Sequence, residues 1–283
     1  MMFSPERPVM FHLRASCAAA ILCAASVAPA FAATEEELDV LYEAIGTPRL
    51  LEIMRTEGMD QSLELGTDMF GRRGPDFMEL AGRIYDTGRM SETFRVAFDA
   101  ALSDVDVTPL LAFFASDQGR QIVSLELSAR EAMMDPDVEA AAETAAERMP
   151  EDDPARRALL EQFVDTNDLV DLNVMGAMNA SVAYYQGLVS GGEGSISESE
   201  ILSEVWAQEP EIRADTLQWV YAYLGFAYDP LEDDDIEAYI AMAASPAGRA
   251  LNRGLFEGFD DVFNEVSYLL GRATVTFGQS EEL

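Results

Sequence analysis

A thirteen-residue phrase occurs twice in this chain, and it limits the fold more than any other feature. Residues 110–122 read LLAFFASDQGRQI and residues 239–251 read YIAMAASPAGRAL. At the offset of 129 residues, Ala112/Ala241, Ala115/Ala244, Ser116/Ser245, Gly119/Gly248 and Arg120/Arg249 are identical, and Leu111/Ile240, Phe113/Met242 and Ile122/Leu251 are apolar in both copies. A repeated unit speaks to architecture before chemistry. In each copy, helix-forming residues run into a serine and a new helix starts at once. Ser245-Pro246 pairs a cap with proline at the first helical position, and Asp117 after Ser116 puts an acid where the helix dipole favours one. Gly119 and Gly248 fall in the first turn, where a missing side chain admits a close neighbour. Arg120 and Arg249 stand where they can reach nearby carboxylates. The phrase thus predicts a tight helix–helix corner, with Ser116, Gly119, Arg120, Ser245, Gly248 and Arg249 as its structural residues.

The rest of the chain is written in helical period. Thr34 with Glu37 forms a capping box opening a helix to about Ile45, stopped by Gly46. Pro48 fits the first turn of the next helix, which is expected to end near Gly58. Pro75 begins another, running to about Asp86, with Gly88 as its stop, and Ser91 is expected to cap a helix through Leu102. Asp135-Pro136 and Asp153-Pro154 repeat the cap-then-proline signal. Residues 166–190 read as one long helix closed by Gly191-Gly192. Ser197 with Glu200 is a second capping box, and Pro210 is expected to break the helix that follows. Leu251, Leu255, Phe259, Val262, Val266 and Leu269 recur at spacings of three and four, widened by Phe256, Phe263 and Leu270, and are assigned to core. No strand-like alternation bounded by hairpin turns occurs. The expected fold is an all-α, multi-helix bundle built from two related helical halves. Residues 33–189 form the first half, 190–196 a flexible connection, and 197–283 the second.

The N-terminus reads as an export signal. Arg7 and Arg14 supply positive charge, Cys17 to Val27 is apolar but too short to span a bilayer, and Ala30-Phe31-Ala32 is a small-x-small cleavage pattern. A lipoprotein reading through Cys23 is disfavoured because Leu22 precedes it, where a small side chain is wanted. Cleavage after residue 32 places the protein in the periplasm or outside the cell, with no later membrane span expected. It also removes both cysteines and the single histidine, and the chain has no lysine. The mature chain therefore lacks Cys, His and Lys, so its stability must rest on core packing rather than disulfides.

Charge narrows the partners. The mature chain holds 51 acids against 16 arginines. Nucleic acid is excluded, because phosphate binding needs a basic face. The same balance disfavours anionic lipid surfaces and suits a solvated, self-repelling exterior. Segment 135–171 carries 12 acids yet keeps apolar residues at helical spacing, as a solvated helix face does.

An apolar pair, an aromatic, Ser-x-x-Gly-Arg and then an amphipathic helix resembles the bacterial exported family known as domain of unknown function 2059. That family's typical phrase is an aromatic-rich helix followed by Ser-Pro-x-Gly-Gln/Arg. Residues 109–134 resemble it best, with Asp117 replacing the usual proline, and Ser245-Pro-Ala-Gly-Arg249 is a second copy of the corner. The resemblance covers about a third of the chain. It implies a helical periplasmic protein, with no activity and no catalytic residue to carry over.

Catalytic patterns are sparse. Without His, Cys or Lys, the common nucleophile–base pairs and nitrogen or sulfur zinc sites are absent. Asp86-Thr87-Gly88 matches the short phrase of aspartic proteases, but that site needs a β-sheet and a partner aspartate. No cofactor is expected. Calcium at Asp229, Asp233, Asp234 and Asp235 is the lesser alternative, since the cluster lacks the glycine and terminal glutamate of the helix–loop–helix site. The leading expectation is an exported helical scaffold or interaction module for an unidentified envelope protein. Two alternatives stand beside it. A carboxylate-dependent hydrolase of envelope glycan requires a cleft with a buried carboxylate of raised pKa. A binder of a small apolar molecule requires a mainly apolar cavity of several hundred cubic ångströms.

Overall fold

Twelve helices follow one another through the described residues, which in the computed structural model are 32–71, 74–192 and 196–279. All but the last residue of the export segment expected over 1–32, and the middle of the connection expected over 190–196, lie outside them. The helices are α1 (Glu35–Ala44), α2 (Thr47–Phe70), α3 (Gly74–Ile84), α4 (Thr87–Leu102), α5 (Thr108–Phe114), α6 (Asp117–Ala132), α7 (Pro136–Asp152), α8 (Pro154–Thr166), α9 (Leu169–Gly191), α10 (Glu198–Tyr228), α11 (Asp233–Ala243) and α12 (Pro246–Gln279). The fold is all-α, and among the described residues there is no strand.

Local chemistry starts these helices. Thr34 and Ser197 each accept from the backbone N–H three residues on, while Glu37 and Glu200 reach back, completing both capping boxes. Asp135 and Asp153 cap α7 and α8 ahead of their prolines.

Four boundaries differ from the expectation, each for a tertiary or capping reason. Helix α2 continues through Gly58 to Phe70. Gly58 is present because the Tyr85 ring lies against the helix there, and a Cβ would overlap it. Asp86-Thr87-Gly88 opens α4 instead of ending α3: the Asp86 side chain accepts from the Arg89 N–H at 2.9 Å. Ser91 is therefore inside α4, where its hydroxyl meets that of Tyr42 at 2.7 Å. Helix α10 runs through Pro210, which is exposed, so the carbonyl left without an N–H partner can be hydrated. Helix α9 starts at Leu169, after Asp168 adopts a left-handed φ of 50°.

Helix α12 is the axis of packing, and its glycines decide what touches it. Gly254 and Gly258 lie against Phe98 and Phe94 of α4, which runs antiparallel, since Glu265 accepts from Thr93 at 2.6 Å further along. Gly271 faces Tyr184 and Leu188 of α9, and Gly187 of α9 faces Tyr268 and Arg272 in return. These contacts advance in the same direction along both helices, so α9 and α12 are parallel. Two large apolar cores form around this frame, beside a smaller one of Met133, Ala142, Ala146 and Ala222. One gathers α1 to α5 with one face of α12; the other gathers α6, α8, α10 and α11 around Tyr228, Leu160 and Phe163. Each core draws on residues from both sides of 190–196. The described residues form one compact unit. Among the described residues, no helix is long and apolar enough to cross a membrane.

Candidate functional site

The two copies of the repeated phrase adopt the same local geometry. Ser116 accepts from the Gly119 N–H at 3.0 Å, and Ser245 from the Gly248 N–H at 2.9 Å. A Cβ on Gly119 would stand 2.8 Å from Phe114 Cα and closer still to the Phe113 carbonyl. On Gly248 it would stand 2.6 Å from the Ala243 carbonyl oxygen and closer still to that of Met242. The close neighbour is thus the last turn of the helix just before the corner. Both arginines turn back to cap that helix, Arg120 at the Ala115 carbonyl and Arg249 at the Ala244 carbonyl. Arg120 also holds Asp117 at 2.5 Å. Arg249 has no equivalent carboxylate, because Pro246 occupies that position.

Each corner feeds a helix that lines one large cavity. The cavity measures about 660 Å³ and lies where the two cores meet, between α2, α6, α8, α9, α10, α11 and α12. At the repeat offset of 129, α6 contributes Glu126, Leu127 and Arg130, and α12 contributes the matching Leu255, Phe256 and Phe259. The walls are mainly apolar, with Met54, Leu172, Leu224 and Leu251 among them. Phe256, Phe259 and Phe263, assigned to core from their period, all face this space. Exposed lining residues Met175, Asn173, Glu257 and Phe263 mark its opening.

A carboxylate sits at the inner end. Tyr228, 1% exposed, donates to Glu126 Oε1 at 2.5 Å, and Tyr223 donates to the Glu126 backbone carbonyl at 3.1 Å. The Tyr239 hydroxyl also stabilises the carboxylate. Burial outweighs these hydrogen bonds and pushes the Glu126 pKa up to about 7. The same burial, reinforced by the nearby carboxylate, holds all three tyrosines well above their ordinary value, so they stay neutral donors. One turn further along α6, Arg130 binds Glu57 at 2.7 Å and lies over the Trp219 ring at 4.8 Å. Trp219 in turn stacks on Tyr223, with centroids 5.0 Å apart.

On α12, Asp260 lines the cavity and accepts from Asn179 at 3.1 Å and Asn264 at 3.0 Å. Asn252 donates to the Asn167 carbonyl at 3.1 Å.

Residues 88–148 match the family described as "Uncharacterized protein conserved in bacteria (DUF2059)". The resemblance read from the corner phrase is borne out over that stretch. The DUF2059 segment spans α4 to most of α7, so it contains the first corner together with Glu126 and Arg130. The second corner, Tyr228, Tyr239 and α12 lie beyond it. No curated protein and no solved structure matches the chain.

Two of the four acids weighed for calcium have partners within the fold. Asp233 pairs with Arg156 at 3.3 Å, and Asp235 accepts from Gln118 at 2.7 Å and from the Glu232 N–H at 3.3 Å. Asp233 to Asp235 form the first turn of α11, where negative charge offsets the helix dipole. Asp229 follows the end of α10. Among the described residues, no group of three or more His, Cys, Asp or Glu side chains is placed to hold a metal.

Glu126 was not among the residues that the sequence singled out, although it left a signal. Ile122, Val123 and Ala129 are the buried residues of α6 beyond its first turn. Glu126 stands four residues after Ile122, three after Val123 and three before Ala129. A carboxylate on the inward stripe of a helix needs a reason.

Proposed function

We propose that this chain is an exported protein that binds a small, mainly apolar molecule in the cavity between its two cores. The observation that carries the reading is the cavity itself: about 660 Å³, walled by leucine, methionine and aromatic side chains, with a few convergent polar groups at its inner end. Natural interiors are packed to crystal-like density, and voids on this scale serve ligands. Apolar walls held apart forgo dispersion contacts, which an occupant would supply. A glycan-cleaving cleft would instead set polar groups along its walls to replace sugar hydration. Glu126 has the raised proton affinity such chemistry wants, but the side chains around it are those of a binding pocket. Export belongs to this reading through the charged, apolar and small-residue pattern of residues 1–32.

The test is saturable binding of Nile red, an uncharged apolar dye, followed by its fluorescence. One site per chain is expected, with quenching or enhancement of Trp219 as a second signal. Ala180→Trp, which fills the cavity from α9, should weaken binding by about tenfold or more while leaving helical content unchanged. Equal binding by wild type and Ala180→Trp, or none by wild type, would overturn the proposal.

A further inference from the structure

We infer that the cavity selects an apolar molecule carrying a positively charged nitrogen, which docks beside Glu126 among the surrounding aromatic rings. This rests on the binding role proposed above and deepens it. Three carboxylates line the cavity, Glu126 at the inner end and Glu257 and Asp260 on α12. The guanidinium in the lining, that of Arg130, is already spoken for by Glu57 and the Trp219 ring.

An uncharged guest would leave Glu126 desolvated without a counter-charge, which is costly for an ionised group in apolar surroundings. A fatty acid or phosphate headgroup would add a like charge at short range. A cationic nitrogen does the reverse, since its own desolvation is offset only where a carboxylate meets it.

The rings suit the same guest. Phe163, Tyr228 and Tyr239 pack against one another, with Phe163 and Tyr239 centroids 5.0 Å apart and Phe163 and Tyr228 5.6 Å apart, and all three line the cavity beside Glu126. Aromatic faces attract a cation through the ring quadrupole and do so most strongly where water is excluded. The strongly acidic exterior adds a field that gathers cations and repels anions at the opening.

The groups facing Glu126 from its neighbours are Tyr223 and Tyr228 of α10 and Tyr239 of α11, with Arg130 one turn along α6. The tyrosines stay neutral over the working range, so Glu126 is the group there that changes charge between pH 5.5 and 8.

Three ten-carbon compounds that differ only in the head test this by displacing Nile red below their micelle concentrations: decyltrimethylammonium, decanol and decanoate. The ammonium compound should bind about tenfold or more tightly than decanoate and more tightly than decanol, and its affinity should rise from pH 5.5 to 8. In Glu126→Gln the ammonium advantage over decanol should disappear. Equal affinities, a preference for decanoate, or an ammonium preference that survives in Glu126→Gln would overturn the charge selection while leaving apolar binding in place. Nile red binding with no displacement by any compound would also overturn it. Failure of Nile red itself to bind would remove both. The wild-type rank order decides the matter even if the variant does not fold.

Discussion

Replacing Gly248 by alanine sets two well-characterised effects against each other. Inside a helix, Gly→Ala is ordinarily stabilising by about 1 kcal/mol, because the unfolded chain loses freedom and the helix gains propensity. At position 248 the added methyl would lie 2.6 Å from the Ala243 carbonyl oxygen, 2.7 Å from Ala243 Cα, and nearer still to the Met242 carbonyl. Those are backbone atoms of α11, so relief requires moving a helix end rather than turning a side chain. Forcing a methyl into such a contact typically costs about 1–3 kcal/mol, and a rigid backbone neighbour places the site at the upper end. The expected net effect is destabilisation by about 1–2 kcal/mol, or a fall in Tm of roughly 3–8 °C for a domain of this size. Gly82→Ala in α3 is the internal control, since its Cβ would meet nothing closer than Met59 Cε at 3.9 Å. That variant should match or exceed wild-type stability. Differential scanning calorimetry of the three proteins at one pH gives the comparison. If Gly248→Ala is as stable as Gly82→Ala, the close approach at the corner has no energetic weight and the explanation of the repeated phrase fails.

Two further outcomes are expected. Glu126 has a folded-state pKa raised from 4.5 to about 7, so between those values the native state holds a proton that the unfolded chain has released. Its contribution to stability is therefore complete below about pH 4.5 and lost as pH rises through about 7, by on the order of 3 kcal/mol in all. Glu126→Gln cannot ionise. Urea unfolding midpoints should show wild type falling below this variant across that window, and parallel curves would refute the burial of Glu126. If residues 1–32 direct export, intact mass of the protein from the periplasmic fraction should correspond to a chain beginning at Ala33. A mass that retains the preceding residues would count against cleavage after the Ala30-Phe31-Ala32 pattern.

Much of the helical framework was legible because its signals act over three or four residues. Thr34 with Glu37, and Ser197 with Glu200, close their hydrogen bonds within one turn, and the Ser116 and Ser245 caps do the same. The errors came where a distant group overrode a local rule, or where one local signal outweighed another, as the Asp86 cap does at the start of α4. Gly58 reads as a stop by composition, yet it serves the Tyr85 ring of another helix. Pro210 reads as a break, yet α10 continues through it at an exposed position, where the carbonyl it leaves open can be hydrated. The apolar stripe of α12 was read as core, and Leu251, Val262 and Val266 are buried there with Phe259 packed against them, whereas Phe263 stands exposed at the cavity's opening. Period reveals which side of a helix turns inward; it does not reveal whether the opposite helix comes close enough to fill the space.

The division between the two kinds of information follows from range. All-α character, the caps, the corner repeat and the exclusion of cysteine, histidine and lysine chemistry in the expected mature chain follow from residue types and short spacings, before any helix meets another. The cavity and its carboxylate do not. Glu126 meets Tyr228 across 102 positions of sequence, and the walls it faces come from seven helices, two of which, α9 and α12, are brought together where glycines 187 and 271 permit close contact. Only the packed structure decides that these close approaches leave about 660 Å³ unfilled beside them. Burial in that space, not the glutamate's own chemistry, is what raises its affinity for a proton.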